Sequence, residues 1–159
     1  MKYFLLLITS AGFLLSCNQT KSNNDKTPAK NNSVQMADTI NKTVKLSAEP
    51  KTLKLSALPD SIKVIMTNNT ADTITTGLHY YIEKREANQW QEISPKDIAF
   101  IDLGWQLRPT ETKNFEKKLF KDQINYKTGK YRIVKYYLKS DYQQTKQKFT
   151  VDAEFTITD

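Results

Sequence analysis

Hydrophobic and polar positions alternate with a period of two over most of the chain beyond residue 43. Phe149, Val151, Ala153, Phe155 and Ile157 interleave with Thr150, Asp152, Glu154, Thr156 and Thr158. That pattern puts one face of a strand on a core and the other in water. Ile62, Val64 and Met66 alternate in the same way and stop at Asn68-Asn69. Leu78, Tyr80 and Ile82 alternate with His79, Tyr81 and Glu83, and a turn at Glu86-Ala87-Asn88 leads into Gln89 to Ile93 around Trp90. Further strands are predicted from Val44, over Thr112 to Leu119 and over Lys130 to Leu138. Ile98 to Leu107 is apolar nearly throughout and predicts a buried segment of either type. No stretch sustains a helical period and no internal repeat is present. The expectation is an all-β, antiparallel β-sandwich of about seven strands over residues 43–159.

The N-terminal 42 residues follow a different pattern. Met1-Lys2 precedes a run from Tyr3 to Leu15 that is apolar except for Thr9, Ser10 and Gly12. The run is shorter than the ~20 residues that cross a bilayer, so residues 1–16 read as an export signal. Residues 18–42 are rich in Asn, Lys, Thr and Ser and hold few large apolar side chains. Such a segment cannot bury enough surface to offset the entropy of ordering it, which predicts a disordered tether.

Leu14-Leu15-Ser16-Cys17 resembles the lipobox of bacterial lipoproteins. The resemblance implies that Cys17 is S-diacylated and becomes the mature N-terminus, so the chain would meet a membrane through its lipid anchor. It removes Cys17 from consideration as a nucleophile or metal ligand. Asn18 follows, not the Asp that holds lipoproteins at the inner membrane in enteric-type sorting. The implied location is the cell envelope, at the outer membrane in preference to the inner one where a cell has both.

Gly77-Leu78-His79-Tyr80-Tyr81-Ile82-Glu83-Lys84 with Trp90 downstream, and Thr128-Gly129-Lys130-Tyr131-Arg132-Ile133-Val134-Lys135, are similar to two segments of bacterial immunoglobulin-like domains. Leu107-Arg108-Pro109 is similar to that family's Leu-x-Pro turn, with Thr110 standing where a Gly is usual. The resemblance implies an immunoglobulin-like sandwich, with Trp90 in its core. It implies no catalytic residues, because the family is a scaffold. Independently, Gly129-x-Tyr131 at the head of a strand has the spacing of a tyrosine corner, with the phenol on a main-chain group just upstream and Gly129 at positive φ.

Chemistry is sparse. One His, one Cys and 4 Gly exclude a disulfide framework and a Cys/His zinc site within this chain, and make phosphate loops poor candidates. His79 falls on the outer face of a strand, and Glu83, Glu86, Glu92, Asp97 and Asp102 suit solvated faces and turns. The expectation is a protein that is not an enzyme and needs no cofactor. Charge says more. Residues 113–148 hold 11 Lys/Arg against 3 acids. A basic half of this kind could meet anionic lipid or polysaccharide. Nucleic acid is not expected for an exported chain with no stacking motif. Tyr81, Trp105, Tyr142, Lys135 and Lys139 are the candidate ligand surface, for an unknown protein partner or, alternatively, an envelope polysaccharide. Gly129, Tyr131 and Trp90 are the structural candidates.

Overall fold

The computed structural model describes residues 43–159; the export signal, Cys17 and the tether lie outside the described residues. Ten strands form two sheets. In chain order they are β1 (Val44–Glu49), β2 (Thr52–Lys54), β3 (Ser61–Asn68), β4 (Ile74–Gly77), β5 (Tyr81–Glu86), β6 (Gln89–Glu92), β7 (Gly104–Leu107), β8 (Thr112–Lys118), β9 (Gly129–Leu138) and β10 (Lys148–Thr158). A 3-10 turn spans Leu55–Ala57, and a single helical turn, α1, spans Tyr142–Thr145.

The smaller sheet has the order β1-β3-β8 and is antiparallel throughout. The larger runs β2-β10-β9-β4-β7, with β5 also pairing β9 and carrying β6 beside it. The chain changes sheets between β1 and β2, at Pro50, and β2 then lies parallel to the end of β10. The family expectation of an immunoglobulin-like, all-β sandwich holds.

The number of strands exceeds seven for identifiable reasons. The N-terminal strand is divided between the two sheets as β1 and β2. β4 precedes the Leu78–Ile82 alternation as a short strand of its own, and β7 arises from the apolar 98–107 segment. That segment is not buried as expected: only its end is strand, and Ile101 and Leu103 are 78% and 48% exposed. It runs as a loop beside His79 and Tyr80, with Phe100 packed against the core and Ile101 and Leu103 in solvent.

The core lies between the sheets. Ile62, Val64, Met66 and Phe115 face Ile82, Ile133, Ala153, Phe155 and Ile157. The alternation of β10 puts these last three inside, and the β10·β9 register sets Ala153 against Ile133 and Phe155 against Tyr131. A fully buried Ile or Phe stabilises the fold by roughly 1.5–3 kcal/mol. Asn68 ends β3 as the Asn-Asn pair predicts, but it is buried. Its amide nitrogen donates to the Asp72 and Leu107 carbonyls (2.8 and 2.9 Å), and its oxygen accepts from Thr70 N and Oγ1 (3.0 and 2.7 Å).

Candidate functional site

The registers of β4 and β5 on β9 do not continue one another. Thr75 and Thr76 oppose Leu138 and Tyr137, while Tyr81 and Ile82 oppose Val134 and Ile133. Four residues on one side, Gly77 to Tyr80, therefore span what two, Lys135 and Tyr136, span on the other, a two-residue bulge. A bulge interrupts the ladder and leaves backbone groups without strand partners.

Two lysines satisfy those groups from inside the sandwich. Lys135 Nζ donates to the Gly77 and His79 carbonyls at 2.6 and 3.3 Å, and Lys117 Nζ to the Leu78 carbonyl at 2.9 Å. Both residues are 1% exposed. Lys135 continues the inward row Tyr131, Ile133, and Lys117 the inward row of Phe115. The ammonium groups also lie over aromatic rings, Lys135 4.5 Å from Phe115 and Lys117 4.7 Å from Tyr80. Burial pushes the Lys117 amine down to about 8, and burial together with the Lys117 charge pushes Lys135 down to about 7. Lys135 is therefore not part of a ligand surface. Its position on an alternating strand, in step with Tyr131 and Ile133, was the signal that it faces inward.

Outside the bulge, His79 is exposed and lies in the connection, not on a strand, with its ring 4.9 Å from Phe100 and 5.5 Å from Tyr136. The loop after β6 folds back over this face. Ile82 N donates to Ser94 Oγ at 2.6 Å, and Ile93 N to the Ile82 carbonyl at 2.9 Å. The result is an open pocket of about 380 Å³ lined by the bulge residues His79, Tyr80 and Tyr81, by Glu92 and Ser94, and by Pro95, Lys96, Ile98 and Phe100. Burial first, and then the charge of Lys135, lower the His79 pKa; Glu92 opposes them, and Lys148 and Lys117 add to the lowering.

The other predicted residues separate into three settings. Lys139 and Tyr142 come together, lining a depression of about 520 Å³ with Thr73, Thr75, Gln106, Leu138, Ser140 and Gln143. Trp105 is half-buried at the core edge, edge-on to Phe115 at 5.5 Å with Lys113 Nζ 5.1 Å above it. Trp90 is not in the core. It pairs with Arg85 across the β5–β6 hairpin, half-buried, with the Arg132 and Arg85 guanidiniums 4.5 and 5.4 Å from its ring. Arg132 also pairs with Glu83 and Asp152. The hairpin turn at Ala87-Asn88 uses two left-handed residues (φ 44° and 67°), as a two-residue loop requires.

Tyr131 is fully buried, its phenol donating to the Lys127 carbonyl at 2.6 Å and accepting from Lys127 N at 3.1 Å. Gly129 enters the strand at φ 147°. This is the tyrosine corner that the Gly-x-Tyr spacing predicts. The basic half is less uniform than its sequence suggests. Lys117 and Lys135 are interior, Arg132 is paired, and Lys121 pairs with Asp60 at 2.6 Å.

A family model for the bacterial Ig-like domain matches residues 40–156. The chain belongs to that family. Among solved structures, this Ig-like domain is similar to the ASH/PapD-like domain of human CEP192 (PapD-like domain 7). The two share 9% identity over 89% of this chain and 96% of that one, with a TM-score of 0.38. No curated protein matches the chain. Ig-like domains are typically interaction or structural modules, and the pocket over the bulge is the feature of this one with the most convergent chemistry.

Proposed function

We propose that the protein is a non-catalytic lipoprotein of the cell envelope, held to the membrane through Cys17, whose Ig-like domain is an interaction module. Membership of the bacterial Ig-like family over residues 40–156 carries this reading, because that scaffold is used for contact and not for catalysis. Leu14-Leu15-Ser16-Cys17 supports the anchor, and Asn18 supports the outer membrane as the destination where there are two. Several acyl chains give stable attachment where a single chain would not. The partner surface is the outer face of the larger sheet, where β6 and β7 end the sheet and the loop between them forms the pocket.

The test is metabolic labelling of the full chain with an alkyne fatty acid in a bacterium that processes lipoproteins. Label should appear on the processed chain, move with the membrane fraction, and be lost in Cys17→Ser. A chain labelled equally after that substitution, or recovered unprocessed and soluble, would remove the anchor.

A polysaccharide partner is the second reading, favoured by the depression at Lys139 and Tyr142. Hydroxyls of Thr73, Thr75 and Ser140, amides of Gln106 and Gln143, and one tyrosine ring line it. That is the chemistry that binds a sugar ring by stacking and hydrogen bonds. Retarded migration in polysaccharide-containing gels, abolished by Tyr142→Ala and insensitive to salt, would support it; unchanged migration would dismiss it.

A further inference from the structure

The bulge turns its peptide groups over. The Gly77, Leu78 and His79 carbonyls all point at the two buried lysines. In a planar trans peptide the N–H is directed opposite to the C=O of the same unit. The amides of His79 and Tyr80, which share peptide units with the Leu78 and His79 carbonyls, are therefore turned away from the lysines and toward the outer side. The position of Gly77 agrees: a Cβ built there, on the outer face, would stand 3.5 Å from the Leu103 carbonyl oxygen, 3.7 Å from Tyr136 Oη and 4.0 Å from His79 N. Neither amide donates to a backbone carbonyl through a turn or loop hydrogen bond among the described residues. Successive backbone N–H groups presented in this way are an anion-binding device.

The surroundings fit an anion with an apolar body. Lys96 lies in the lining, and Lys148 Nζ sits 5.2 Å from the Tyr136 ring that stacks near His79. The walls are Ile98, Phe100 and Tyr81, and about 380 Å³ admits a group the size of a benzyl or branched alkyl chain. Glu92 is the one carboxylate in the lining. It opposes negative charge on the ligand, a dianion more strongly than a monoanion.

We propose that this pocket binds the carboxylate of a small organic acid with an apolar body, the His79 and Tyr80 amides donating to its oxygens and Phe100 packing on the body. The proposal rests on the reading of the domain as a non-catalytic interaction module and names what that module takes. It makes the bulge functional: the lysines hold the carbonyls in so that the amides face out.

The experiment is a titration of the 15N-labelled full-length chain, in detergent solution, with 3-phenylpropionate, followed by backbone amide NMR. The His79 and Tyr80 amide protons should shift downfield and saturate, while the uncharged 3-phenylpropionamide should leave them unmoved. Phe100→Ala should weaken binding about ten-fold, the loss of one apolar wall, and Lys96→Gln should weaken it less; retained amide dispersion in β9 and β10 reports that each variant is folded. No saturable shift with the acid, or equal shifts with the amide, would overturn the carboxylate assignment. Phenylpropionate that binds and is recovered unchanged supports both proposals. Chemical conversion of the probe would contradict the non-catalytic reading and leave the binding result standing.

Discussion

Replacing Lys135 by Met removes one of the two buried ammonium groups while keeping an unbranched apolar stem in its place. In the folded protein Lys135 titrates at about 7 and Lys117 at about 8, against the ordinary 10.5 of an unfolded lysine. The folded-state values are depressed, so folding favours the neutral amines. Near pH 9 the unfolded chain holds nearly two more protons than the folded one, and stability rises with pH at about 2–3 kcal/mol per unit. Below pH 7 both states are charged and the native state carries the whole penalty, about 5 kcal/mol for Lys135 alone at 1.36 kcal/mol per pK unit. That is comparable with the total stability of a small domain. Lys135→Met should halve the slope. At pH 9 it leaves the Gly77 and His79 carbonyls without donors, at a cost of about 1–3 kcal/mol. At pH 6 the relief of a buried charge outweighs that loss. The variant should therefore gain most over the parent at pH 6, and that gain should shrink by about 3 kcal/mol by pH 9. Urea unfolding followed by tryptophan fluorescence at pH 6, 7.5 and 9 reads this directly. Parallel stability curves for variant and parent, offset by a constant, would refute the reasoning.

Tyr131→Phe should cost about 1–3 kcal/mol in urea unfolding, because it strands both polar groups of Lys127 at the tyrosine corner; an unchanged midpoint would show that the corner contributes nothing. Asn68→Ala removes four hydrogen bonds from a fully buried amide and should cost about 3 kcal/mol or more, measured the same way. Thr110 holds φ 67°, a left-handed conformation that a β-branched residue adopts at a cost. Thr110→Gly should accordingly raise stability by roughly 1 kcal/mol, and a fall would mean that the threonine side chain outweighs the strain. Trp90→Ala should cost about 1 kcal/mol, the loss of half-buried cation–π packing; a loss of about 3–5 kcal/mol would restore it to the core.

Much of the sandwich is legible in the chain because half-buried strands write their two faces into alternate residues. β10 is the clearest example, and Gly129-x-Tyr131 and Ala87-Asn88 mark a corner and a turn by backbone requirement. The bulge escaped for a specific reason. It inserts two residues, and a two-residue offset preserves the alternation, so Leu78, Tyr80 and Ile82 look like one uninterrupted strand. Lys117 and Lys135 escaped because lysine is read as a solvated residue, although both keep step with inward neighbours. The loop from 93 to 103 misled in the opposite sense: its apolar run implied burial, but its residues run beside His79 and Tyr80 and leave Ile101 and Leu103 in solvent. Trp90 was assigned to the core from a family position, while its hairpin partner Arg85 and the neighbouring Arg132 hold it on the outside.

The clamp of two buried lysines on an inverted peptide segment is the feature from which the outer pocket follows, and it can be measured at the amines themselves. In a 13C/15N-lysine sample of the protein, the Cε and Nζ resonances of Lys135 and Lys117, assigned by substitution, should titrate near pH 7 and 8, well below the ordinary 10.5 of a lysine. Two amines that titrate near 10.5, the ordinary value of a lysine, would mean that neither is enclosed, and the bulge would lose the support that turns its amides outward.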